Sequence, residues 1–107
     1  DIDKLKHIFN DFRNVRFPDD SRDEELSDIH AELADYDGYI AGLVSQVIAG
    51  TRVGPEKLFF KDGMKSRLQK EINSAGEYER SEVDAYLSYL ERLEELLRLA
   101  KAVNSQR

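Results

Sequence analysis

The chain has 107 residues, no cysteine, and 16 Lys and Arg against 22 Asp and Glu, a formal charge of −6. That length and a hydrophobic content of 40% suit one domain, residues 1–107, with one core, and exclude a disulfide scaffold. No apolar run reaches the roughly 20 residues of a membrane span, and Asp1-Ile2-Asp3-Lys4 lacks the cationic-then-apolar order of a secretory signal. A cytoplasmic protein is therefore expected, its missing initiator methionine pointing to a trimmed or processed segment.

Two prolines and six glycines leave few breaks, and apolar residues recur at three- and four-residue spacing. The pattern predicts an all-α fold, an up-and-down bundle of four or five helices with a long second helix that a glycine could kink. The first helix spans about Asp3 to Arg16, with Ile2, Leu5, Phe9 and Phe12 on one stripe and Ile8 and Val15 widening it. Phe17-Pro18 ends it, because proline disfavours helical geometry in the residue before it.

Ser21 and Glu24 form a capping-box pattern, so a second helix is expected from Arg22 to Ala49. Leu26, Ile29, Leu33, Tyr36, Ile40, Leu43 and Val47 keep one face in register through Gly38 and Gly42, and a bend is expected around Gly38. Gly50 suits the left-handed position past its end. Residues 38–49 carry no charge, and their far face holds only Gly38, Gly42, Ser45 and Ala49. This half is expected to be central, with another backbone approaching the small residues.

Gly54-Pro55-Glu56 restarts the helix, and Asp62-Gly63 divides the third helical stretch into a short piece and a longer one that includes Leu68 and Ile72. Of adjacent Phe59 and Phe60, one is expected in the core and the other at its boundary. Gly76 closes this stretch, 77–80 form a connection, and Ser81 begins a last helix on Val83, Tyr86, Leu90, Leu93, Leu97 and Ala100. Leu87, Tyr89, Leu96 and Val103 broaden that stripe until it can touch two neighbours. The tail from Asn104 is expected to fray.

The charge is unevenly placed. Residues 1–54 hold 12 acids and 6 bases, whereas residues 55–107 hold 10 of each, so the whole excess lies in the first half. Between Asp19 and Asp37 nine acids face only Arg22. Acids in a first helical turn complement the helix dipole, which accounts for Asp23, Glu24 and Glu25 as capping charge but not for Asp28, Glu32 or Asp35 further along. Lys57, Lys61, Lys65, Arg67 and Lys70 could pair with them internally; otherwise the acidic face is a partner site.

Catalytic and metal signatures are weak. His7 and His30 are the only histidines, His30 reading as a hydrogen-bonded boundary residue. Asp35-Tyr36-Asp37-Gly38 holds part of the order of a calcium loop without its spacing, and glycine-rich phosphate loops are missing. Ser21 and Ser81 read as caps, so no enzyme activity, metal or cofactor is expected. Tyr36 and Tyr86 fall on core stripes, whereas Tyr39 lies at a stripe edge among acids, the mixture found in protein-binding patches.

The expected function is a non-catalytic module that presents Glu25, Asp28, Glu32, Asp35 and Tyr39 to a basic protein partner. An antidote or immunity protein inhibiting a basic toxin would use this physics, a comparison of kind that no motif carries. Direct nucleic-acid and membrane binding is disfavoured by the acidic face. The alternative is a homo-oligomeric structural bundle, such as a homodimer, joined through the small-residue face or the broad stripe of the last helix.

Overall fold

The computed structural model of the chain describes residues 2–14, 24–60, 63–75 and 80–106. Among these residues four α-helices and one 3-10 turn make up an all-α bundle: α1 (Ile2–Asn14), α2 (Glu24–Ile48), the 3-10 turn Pro55–Lys57, α3 (Met64–Ala75) and α4 (Arg80–Ser105). The expected break at Phe17-Pro18, the Ser21 cap and the Gly76 stop lie outside the described residues.

Each helix buries the face that its spacing predicts. Leu5 and Phe12 of α1 are buried, while Ile2, Ile8 and Phe9 pack against the core from its edge. Ile29, Leu33, Ile40, Leu43, Val44 and Val47 of α2 meet Met64, Leu68 and Ile72 of α3 in a single cluster. α2 runs on through Gly38 and Gly42 as one helix of 25 residues. It ends in a Schellman motif: Gly50 takes φ +99°, its N–H donates to Val47 O at 3.1 Å, and Thr51 N–H donates to Gln46 O at 2.9 Å.

The hub of the bundle is α4. Val83, Tyr86, Tyr89, Leu90, Leu93, Leu96, Leu97, Ala100 and Val103 are buried, and α4 packs on α1, α2, α3 and the 3-10 turn. This corrects the expectation that residues 38–49 are central. Although Ile40, Ala41, Leu43, Val44 and Val47 point inward, Gly38, Gly42, Ser45 and Ala49 lie away from the core, and a Cβ built on Gly38 or Gly42 meets nothing within 4 Å. All four are exposed, and Ser45 and Ala49 share a hollow with Lys6, Phe9 and Asn10 of α1.

The end of α4 departs from expectation too. Asn104, expected to fray, is 1% exposed. Its Nδ2 donates to Val53 O at 2.9 Å, and its Oδ1 accepts from Val53 N–H at 2.9 Å. The backbone between α2 and the 3-10 turn cannot form helical bonds there, and the side-chain amide satisfies both of its buried groups. Val53 is itself buried. This clamp ties the segment leading to residues 58–60 against α4.

Candidate functional site

Four α2 positions, Asp28, Glu32, Asp35 and Tyr39, are separated by four, three and four residues, so they share one flank of the helix. The flank lies beside the buried stripe and looks toward α3 and the 58–60 segment. Glu25 belongs to the same helix, but its side chain lies outside the described part. Asp28 and Asp35 are exposed, with no cation in ion-pair range among the described residues.

Glu32 is different, because the Arg67 guanidinium bonds both of its oxygens and also reaches Glu71 Oε2 at 3.2 Å. Hydrogen bonding to Glu32 is the main reason that Arg67 is held above its ordinary pKa. Asp37, counted with the acids, turns to the inner side and accepts a hydrogen bond from the Tyr89 hydroxyl. Burial first, and this bond second, push the Tyr89 phenol well above its ordinary value.

The expected basic strip divides between two neighbours. Lys65 and Arg67 are two residues apart, which on a helix points them about 200° apart. Arg67 therefore reaches α2, while Lys65 reaches α4, where its Nζ lies 2.7 Å from Glu94 and 3.1 Å from Glu91. The bond to Glu94 is the largest cause of the raised Lys65 pKa. Lys57 and Lys70 make no ion pair among the described residues, and Lys61 lies outside them. Of the described cations in this strip, Arg67 alone pairs with an acid of α2, at Glu32, while Lys70 lines the same hollow as Asp28 without an ion pair to it.

Above the acids stands an aromatic ridge. The Tyr39 ring stacks on Tyr36 with centroids 6.2 Å apart, and Tyr36 stacks on Phe60 at 5.8 Å. The Tyr36 hydroxyl donates to Phe59 O at 2.7 Å, and burial raises its pKa, with Tyr39 adding to the effect. Tyr36, expected in the core, is half-buried instead, because its ring covers the edge of residues 58–60. Neither phenylalanine is fully buried: Leu58 fills the core, Phe60 turns toward α2 at the boundary, and Phe59 turns toward α4. Tyr39 at 50% and Phe59 at 47% are the exposed large hydrophobics among the described residues, Tyr39 at the end of this ridge and Phe59 beyond it against Lys101 of α4.

The histidines are elsewhere. His30 meets the Tyr86 ring edge-on at 6.3 Å, and His7 Nε2 lies 3.4 Å from Asp11 on the outer side of α1. Among the described residues no group of three or more His, Asp or Glu could hold a metal ion. No described helix is long and apolar enough to cross a membrane.

No protein-family description, curated protein or solved structure matches this chain.

Proposed function

We propose that the chain is a non-catalytic module that binds a basic protein partner through the α2 flank of Asp28, Glu32, Asp35 and Tyr39, with Glu25 extending it. One observation carries the reading: Asp28 and Asp35 stand exposed and without an ion pair among the described residues, on the same flank as the half-exposed Tyr39 ring. Uncompensated charge speeds the approach of an oppositely charged surface, and tyrosine supplies contact area with few rotatable bonds. Arg67 divides the flank at Glu32 and gives it a fixed register, since a partner cation must settle on either side of that pair. An antidote-type inhibitor of a basic toxin is the form of module that this arrangement serves.

The test compares two baits in extract of the source organism, the native chain and the double variant Asp28→Lys/Asp35→Lys. A basic protein retained by the native bait and lost from the variant supports the reading. Recovery of the same proteins on both baits contradicts it.

A second reading, a homo-oligomer, draws on the open Gly38, Gly42, Ser45 and Ala49 face. Two glycines inside an exposed helix cost about 1 kcal/mol each relative to alanine, and nothing within the described chain requires them. Light scattering at high concentration separates the readings, since a monomer excludes an obligate assembly.

A further inference from the structure

Beyond the ridge, on the side away from the acids, residues 58–60, Gly63, α3 and α4 enclose a cleft of about 460 Å³. Phe59 and the half-buried Phe60 give it apolar surface, Leu58 and Leu97 form its buried floor, and Lys65, Glu94, Arg98 and Lys101 supply the charge. We infer that this cleft is a docking site for an acidic peptide segment carrying an apolar side chain, separate from the α2 flank.

The cations of the cleft divide into compensated and uncompensated. Lys65 is held by Glu94 and Glu91, a group that together carries a charge of −1. Arg98 and Lys101, three residues apart and so neighbours on α4, have no carboxylate in ion-pair range among the described residues. The Lys101 ammonium lies 3.9 Å from the centroid of the Phe59 ring, held by an aromatic face where an acid would be the stronger partner. A charge-assisted hydrogen bond is stronger than an exposed cation–π contact, so an incoming carboxylate can recruit Lys101 without loss. In a chain of net charge −6, these two cations outweigh the −1 of the Lys65 group and leave the named charges of the cleft at +1, the reverse of the overall sign.

The same features select the occupant. A carboxylate fits Arg98 and Lys101 while an adjoining apolar side chain covers the exposed half of Phe59. The cleft is open along one side, whereas sites for small molecules enclose most of their ligand, so an extended chain laid across it is the better match. Polyphosphate backbones are opposed by the overall charge and by Asp28 and Asp35 across the ridge.

A synthetic peptide of alternating aspartate and leucine, titrated into isotopically labelled protein and followed by amide chemical shifts, tests this. The expected result is a saturable set of shifts confined to residues 58–60, 63–66 and 94–101. Affinity should fall roughly tenfold or more in Arg98→Glu/Lys101→Glu, both residues being exposed and outside the core. Phe59→Ala should weaken it too. In Asp28→Lys/Asp35→Lys the same residues should still shift, which separates this site from the flank. Overturning results are no saturation by about 1 mM peptide, shifts centred on α1 or α2, or unchanged affinity in the double charge reversal. Octanoate binding the cleft as tightly as the peptide would also overturn it, by assigning the site to small amphipathic acids.

Discussion

Asn104 and Val53, 51 residues apart, exchange two hydrogen bonds of 2.9 Å through one side-chain amide. An amide donates to a carbonyl and accepts from an N–H through two separate atoms without carrying charge. Asn104→Ala leaves both buried backbone groups of Val53 unpaired, and the cost of orphaned polar groups gives an expected loss of about 2–4 kcal/mol. Denaturant unfolding measures it. Asn104→Asp should be worse at neutral pH, because a carboxylate faces the Val53 carbonyl near a helix C-terminus, and it should recover partly below about pH 5, where protonation restores a donor.

Gly38 and Gly42 sit in α2 without positive φ and with open space where a Cβ would go. Gly38→Ala and Gly42→Ala should each stabilise the monomer by about 1 kcal/mol. A loss of stability that depends on protein concentration would instead assign their face to contact with a second copy.

Tyr36 and Tyr89 both have raised phenol pKa values in the folded chain, so the native state binds more protons than the unfolded chain above the ordinary tyrosine value near 10. Their contribution is present below that value and is lost as pH rises past it. Ultraviolet titration of the phenolates, run beside circular dichroism, should show these two ionising only as helicity is lost. Tyr89→Phe should remove part of this alkaline sensitivity while leaving Asp37 without its hydroxyl donor.

The Arg67 pairing with Glu32 lies at the surface, where such pairs contribute little to stability, and the melting temperature of Arg67→Ala should be nearly that of the native chain. Glu32 would then join Asp28 and Asp35 as uncompensated charge. Association with a basic partner should become faster at low salt, which stopped-flow mixing can follow.

The periodicity of apolar residues is enough to place the helices, and it also bears on the polar residues between them. Asn104 follows Leu97 and Ala100 at three and four steps, so its position belongs to the core face, although an isolated polar residue near a chain end reads as a fraying one. Asp37 lies four residues after Leu33, which marks it as leaning inward toward α4 and away from the acidic flank. The opposite orientations of Lys65 and Arg67 are likewise implicit in their two-residue separation. The Phe59–Phe60 arrangement is not legible, because it depends on residues 58–60 leaving helical geometry and on Tyr36 capturing the Phe59 carbonyl. Nor can the sequence show that the small-residue face is open, since an uncharged helical segment packs equally well on either side until its neighbours are placed.

The most direct measurement of the proposed role is the association rate of the native chain with its captured partner as ionic strength rises from about 0.02 to 0.3 M, set beside that of Asp28→Lys/Asp35→Lys. A rate that falls about tenfold or more for the native chain, and starts lower and stays nearly flat for the variant, is the predicted result. Equal rates with equal salt dependence would contradict it.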